Sequence, residues 1–453
     1  LHYPLRRQRQ MCIRDREIIM DKMADDLGRA GAWCGQNKYL SAIKNAFQNF
    51  MPLTIAGAIG VLWCNVLVNE STGLGIFFKP IMALEFLNPA FQAVNFCTIS
   101  CITVGITLGI AQEIGVWNMG AERAGYIPGL VGLAAWLSVT NTSHMVEGAK
   151  EAFTGIAGNE LGATGLFTGM IIGVLSVELF CFFEKQDALK IKMPEQVPPG
   201  VARAFEVLVP ATITLIITAC IGSACYNLTG LYLNDVIKNG IQGPLGAVGA
   251  TIPGVMIIYL VIMLFWLVGI HGNNMLSAVK EALFTPLALE NVEKFNKGEK
   301  PTNIINMYAL QMWGEFGGSG VTIGLVIAIM IFGKREDNKA IATLSLVPGL
   351  FNINETVTFG IPMVLNPILG IPFVVAPLIT IIIGYVLTVI GFCPVACLTV
   401  PWTTPPIVFG FLACGANVMG AVTQAILIVV STVIYTPFLI SYEKYQNKQA
   451  AEA

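Results

Sequence analysis

An all-α polytopic membrane protein of about ten spans is the fold class this sequence predicts. Three observations carry the prediction. Only 12% of the 453 residues are charged, against about 25% in a soluble domain, too few to cover a water-facing surface. Hydrophobic residues make up 55% of the chain and the mean hydropathy is +0.69. Apolar stretches then recur along the whole length, over 51–68, 96–110, 124–139, 161–183, 207–225, 248–270, 321–332, 361–390 and 407–434. Several of them reach or approach the roughly 20 residues needed to cross a bilayer as a helix.

Taken in order, residues 1–19 come first. "RRQRQMCIRD", Arg6 to Asp15, has no apolar core behind it and is not a secretory signal. Back-translated, it resembles a transposon-end sequencing adapter read in frame. The expectation is that 1–19 is an assembly artefact and that the native chain starts at Met20 or Met23. In "NKYLSAIKNAFQNF", Asn37 to Phe50, Leu40, Ile43, Phe47 and Phe50 recur at helical spacing among Lys38, Lys44 and Asn45. That pattern predicts an amphipathic helix on the membrane surface leading into the first span. The polar break from Glu184 to Phe205 holds Lys185, Lys190, Lys192 and Arg203, which places it in the cytoplasm by the positive-inside rule. A second polar stretch, His271 to Asn303, carries Lys280, Lys294, Lys297 and Lys300. It falls on the same side two spans later, and both termini are then cytoplasmic. The expected organisation is an N-terminal unit over 20–233 (amphipathic helix plus five spans), a C-terminal unit over 234–442, and a tail over 443–453.

The two halves differ in kind. Prolines interrupt the apolar segments of the second half at 348, 362, 367, 372, 377, 394, 401, 405 and 406. Broken helices at membrane depth survive only where protein buries them or where they line a cavity, and they point to a transporter's binding site. The N-terminal half therefore reads as scaffold and the C-terminal half as the substrate-handling part. The net charge of −2 says nothing about nucleic acid, but no basic run occurs outside the first few residues, and no nucleic-acid partner is expected. The cysteines show no metal-binding spacing and suit small apolar packing positions; no cofactor or metal is expected.

Three clusters in the second half could carry chemistry. "FWLVGIHGNNM", Phe265 to Met275, sets His271 between Gly269 and Gly272, with Asn274 close behind. It reads either as a helix end with an interfacial histidine or as a ligand-facing turn. "GEFGGSGVT", Gly314 to Thr322, is a flexible turn carrying Glu315 and is weak alone. "FNINETVTFGIP", Phe351 to Pro362, holds Glu355 between Asn352, Asn354 and apolar residues. From Asn338 to Tyr442 the only other charged residue is Lys339. A carboxylate in a membrane segment costs about 2.5–3.5 kcal/mol on insertion scales and marks a functional site by default; the alternative is an acid capping a helix N-terminus. Trp402, in "VPWTTPP", is a platform on which a sugar ring could stack. The residues alone define a membrane transporter for a polar small molecule, with a proton-coupled carrier using Glu355 and His271 as a relay as one mechanism.

"KMPEQVPPGVARAF", "FWLVGIHGNNM", "EFGGSGVTI", "FNINETVTFGIPMVLNPILGIPFVVAPL" and "VPWTTPP" occur in the order seen in one family. Over about Tyr39 to Tyr442 the chain resembles the membrane-embedded IIC component of bacterial sugar phosphotransferase systems, of the lactose, cellobiose and diacetylchitobiose type. The resemblance implies ten spans, two re-entrant hairpins in the C-terminal half, and a homodimer formed largely through the N-terminal half. It implies a β-linked disaccharide substrate, phosphorylated at the cytoplasmic face of the bacterial inner membrane with the help of IIB and IIA. These are expected to be separate polypeptides, because no soluble domain flanks the membrane part. His271 and Glu355 correspond to the histidine and glutamate near the hydroxyl that is phosphorylated. Trp402, Asn354, Gly272 and Asn274 are the expected sugar-binding residues. Where the family commonly has proline after the glutamate, this chain has Thr356.

Overall fold

The computed structural model describes residues 36–69, 78–144, 153–194, 196–244, 249–361 and 363–452, with Gly75 and a few positions between 26 and 33. The expected artefact over 1–19, the candidate starts Met20 and Met23, and Pro362 lie outside the described residues.

Helix α1, Lys38–Leu62, begins at Asn37, whose side-chain oxygen accepts from the amides of Tyr39 and Leu40 at 3.1 Å. It runs through Phe50 without a break and continues into the apolar segment. The stretch expected to lie on the membrane surface is thus continuous with a helix long and apolar enough to cross a membrane. Its polar side chains find partners inside the protein, which removes the need for water. Lys38 pairs with Glu178 at 2.6 Å and Asn45 donates to Glu113 at 2.9 Å. Its inner face is Ala42, Ala46 and Phe50.

A short helix α2, Asn88–Asn95, leads into α3, Ile102–Met119, followed by α4, Ile127–Val139, α5, Ala163–Glu184, and α6, Pro199–Thr229. Small residues let α1, α3, α4 and α5 approach closely, as is usual in membrane bundles. A Cβ on Gly105 would meet the Phe50 ring at 2.2 Å, and one on Gly169 would meet Thr107 at 2.2 Å. The end of α5 is tied to the start of α6 by ions: Glu184 accepts from both Arg123 and Arg203 at 2.9 Å, and both arginines also reach Glu206.

The second half is built from shorter pieces. They are α7, Ile252–Leu267, α8, Gly272–Met275, α9, Ser277–Asn296, α10, Met307–Gly314, and α11, Ile323–Phe332. Then come α12, Glu336–Leu350, α13, Glu355–Gly360, α14, Gly370–Val389, α15, Val408–Ala413, and α16, Val418–Glu452. Two main hydrophobic cores result. One is drawn from residues 42–207 and joined by Leu289, Cys397 and Leu398; the other lies within 255–442 around Tyr259, Trp266, Trp313, Phe373 and Tyr435. Helix α9 contributes to both, through Leu289 to the first and Phe284 to the second. It occupies the stretch expected to be a cytoplasmic loop, because one side of it, including Phe284, Ala288, Leu289 and Val292, is buried against the two cores. Lys280, counted there as a loop charge, is 6% exposed.

Among the described residues five helices are long and apolar enough to cross a membrane: α1 extended to Leu67, α5, α6, α14 and α16. Lys79–Ser100 with α3 adds a sixth if that pair, bent by 41°, counts as one span. Helices α4, α7 and α11 are apolar but only 13, 16 and 10 residues long. At 1.5 Å per residue none of the three covers a hydrocarbon core of about 30 Å alone. Breaks at 315–322 and 391–407 divide the apolar runs that composition alone reads as continuous.

Candidate functional site

These breaks surround a cavity of about 530 Å³, within the size range of small-molecule sites, lined entirely by residues between His271 and Gln424. His271, Asn274, Asn354, Glu355 and Trp402 line it together. Gly272 does not. A Cβ there would lie 2.0 Å from the Ile262 carbonyl oxygen, so this glycine permits α8 to fold back against α7 rather than letting backbone approach a ligand.

His271 stands at the N-terminus of α8, where its Nδ1 accepts from the Asn274 amide at 3.2 Å. With Nδ1 used as acceptor, the neutral ring carries its proton on Nε2. The ring rests on Trp266, with centroids 4.5 Å apart, and Nε2 lies 3.8 Å from Glu355 Oε1. Glu355 opens the six-residue helix α13, but its carboxylate does not cap it. Among the described residues its one close polar partner is His271, and 47% of its side chain is open. The carboxylate faces the cavity.

A hydroxyl fits between the two groups. An oxygen 2.8 Å from both Nε2 and Oε1 would see them at an angle of about 85°, so one hydroxyl can accept from the imidazole while donating to the carboxylate. Trp402 is 45% exposed, and its backbone oxygen accepts from Asn352 Nδ2 at 2.5 Å. Asn352 also donates to Thr404 O at 3.0 Å and accepts from the Gly317 amide at 2.7 Å. It adopts φ 62°, a left-handed conformation that Asn tolerates better than most residues. One side chain thereby ties together the three loops that carry Glu315, Glu355 and Trp402. Asn354, 3% exposed, spends its amide on Ser319 O at 2.8 Å and Thr358 Oγ1 at 3.2 Å, which leaves its carbonyl oxygen for a ligand. The Asn274 side chain makes no hydrogen bond among the described residues. Thr356 sits in the first turn of α13, where an amide has no helical acceptor, so a proline at this position would forfeit no hydrogen bond.

Three wall residues lie outside the stretches singled out in the sequence: Gln311, Phe409 and Gln424. Gln424 accepts from the amides of Ile407 and Gly410 at 2.7 and 2.8 Å and so holds the start of α15. An amide side chain inside the apolar α16 was the available signal. Glu315, weak in the sequence, also faces the cavity.

Broken apolar helices around a polar cavity with two carboxylates, one imidazole and an open indole define a multi-pass membrane transporter. More specifically, the chain belongs to the EIIC family of the phosphotransferase system, whose family model (Phosphotransferase system, EIIC) matches residues 44–377. An oligo-beta-mannoside-specific EIIC component of Bacillus subtilis strain 168 is 32% identical over 94% of both chains. A cellobiose-specific EIIC component of Lactococcus lactis subsp. lactis strain IL1403 is 30% identical over 92% of this chain and 96% of its own. The crystal structure of the transporter ChbC, the IIC component of an N,N'-diacetylchitobiose-specific phosphotransferase system, superimposes with a TM-score of 0.84 at 29% identity, covering 93% of this chain and 97% of that one. IIC components operate with IIA and IIB partners. Membership in this family does not support the proton-coupled reading.

Proposed function

We propose that this protein is a permease for a β-linked disaccharide of the cellobiose, chitobiose or lactose type, which is phosphorylated as it is delivered to the cytoplasm. The observation that carries the reading is the His271–Glu355 pair, 3.8 Å apart, facing one cavity with Trp402. In this account the sugar stacks on Trp402, and its hydroxyl, the 6-OH, sits between the pair. Because Nδ1 of His271 is already an acceptor, Nε2–H donates to the hydroxyl oxygen and Glu355 takes the hydroxyl proton. The oxygen attacks phosphorus on the IIB phosphocysteine; the new O–P bond forms as the S–P bond breaks, and the thiolate leaves with IIB. Positioning and electrostatics supply most of the rate in such a transfer.

Related elements of the proposal are a separate IIB and IIA, a homodimer formed by the N-terminal half, movement of the C-terminal half against it, and cytoplasmic termini. All nine described cysteines lie in or beside the helical bundle and are free, which suits a phosphocysteine carried by another domain. The test is sugar phosphorylation by vesicles bearing the protein, with phosphoenolpyruvate, the general phosphotransferase proteins, IIA and IIB, across cellobiose, diacetylchitobiose, lactose and an α-linked control such as maltose. Phosphorylation of a β-linked sugar but not maltose is expected. Phosphorylation of maltose alone would overturn the substrate class.

A further inference from the structure

Behind the cavity wall lies a buried charged group that the phosphoryl-transfer account does not use. Lys280, on α9, is 6% exposed, and its Nζ pairs with Glu315 Oε1. The same ammonium lies 3.5 Å from Asn273 Oδ1 and 5.6 Å from the centroid of the Tyr259 ring. Tyr259, on α7 and fully buried, donates its hydroxyl to the same Glu315 oxygen at 2.7 Å. Glu315 itself follows the end of α10, at the head of the glycine-rich break. Its other oxygen, Oε2, takes no hydrogen bond among the described residues, and its side chain keeps 16% of its surface open and lines the cavity.

Two helices thus grip one oxygen of a carboxylate and leave the other free. Stability alone does not account for the arrangement. A buried ion pair repays its desolvation poorly, and apolar residues of similar volume would serve as well or better. Building on the sugar-site reading above, we propose that Lys280 and Tyr259 are positioning residues that hold Glu315 Oε2 toward the bound sugar, where it accepts a hydrogen bond from a hydroxyl distant from the phosphorylated one. The chain extends further: Asn273 Nδ2 donates to Ser319 Oγ at 2.9 Å, and Ser319 O accepts from Asn354, the neighbour of Glu355. The network therefore couples the Glu315 wall to the segment carrying the proton acceptor.

Tyr259 does not line the cavity, and Tyr259→Phe keeps the ring beside Lys280 while removing the hydroxyl bonded to Glu315, so it tests that hold on the carboxylate. Vesicles with phosphoenolpyruvate, IIA and IIB, and cellobiose as probe, give KM and kcat for the wild type, Tyr259→Phe and the double variant Lys280→Met/Glu315→Gln. The double variant removes both charges together and leaves no unpaired ion. Melting in detergent reports on the fold. The expected result for Tyr259→Phe is a KM raised about fivefold, roughly the worth of one hydrogen bond, with kcat within about twofold and the protein folded at the assay temperature. The folded double variant raises KM more than tenfold, the loss of a charge-assisted bond. A folded Tyr259→Phe with wild-type KM overturns the proposal, whatever the double variant does. Wild-type turnover of cellobiose, measured first, establishes the sugar reading separately, so a null result confined to the variants counts against this inference alone.

Discussion

Replacing Glu355 by Gln keeps the size of the side chain and removes its charge and basicity. His271 is neutral with its proton on Nε2, and its 3.8 Å separation from Glu355 is too long for a direct hydrogen bond, so the substitution breaks no ion pair in the sugar-free site. Binding should therefore change little, because an amide still accepts a hydrogen bond from the hydroxyl. The chemical step should suffer more. Loss of a general base typically slows a reaction by about 10²–10⁴, or about 2.7–5.4 kcal/mol at 1.36 kcal/mol per decade. Sugar affinity in detergent and phosphoenolpyruvate-dependent phosphorylation, measured on the same preparation, separate the two effects. The expected result is an affinity within about fivefold of wild type with phosphorylation at least a hundredfold slower. Normal phosphorylation by the Gln variant would refute the role of Glu355 as proton acceptor and leave it a binding residue.

Other perturbations probe the rest of the site. Trp402→Ala should weaken sugar binding about tenfold or more, as expected for loss of an aromatic stacking face, and Trp402→Phe far less; equal losses would assign the interaction to the indole N–H. Gly272→Ala places a methyl group 2.0 Å from the Ile262 carbonyl, and it should destabilise the protein by about 1–3 kcal/mol through overpacking, read as a lower melting temperature in detergent. An unchanged melting temperature would show that α8 does not press on α7. Asn352→Ala should lower stability by about 2–4 kcal/mol through three lost hydrogen bonds and left-handed strain. Asn352→Gly, relieved of the strain, should recover about 1 kcal/mol of that, and equal melting of the two variants would remove strain from the explanation.

The membrane class was legible in the sequence because it rests on bulk composition, which no tertiary detail overrides. His271, Glu355 and Trp402 were legible because polar or amphipathic groups in apolar, proline-broken segments need a cavity. Other features depended on contacts that span the chain. Lys280 looks like a loop cation until α9 is seen packed between two cores, and nothing near it in sequence names Glu315, 35 residues on, as its partner. Gly272 looked like a ligand-facing glycine, but the atom it makes room for belongs to Ile262. The polar stripe at the start of α1 suggested an interface with lipid headgroups; its partners, Glu113 and Glu178, lie on α3 and α5. Periodicity shows which face of a helix is polar and leaves open what that face meets.

On the function proposed above, sugar entry through this cavity is tied to phosphoryl transfer. The most direct measurement is uptake of radiolabelled cellobiose into vesicles oriented as in the cell, loaded with IIA, IIB, the general phosphotransferase proteins and phosphoenolpyruvate. The expected result is accumulation as sugar phosphate, abolished when either IIB or phosphoenolpyruvate is left out and indifferent to a collapsed proton gradient. Accumulation of free sugar, driven by a pH gradient without IIB, would contradict it.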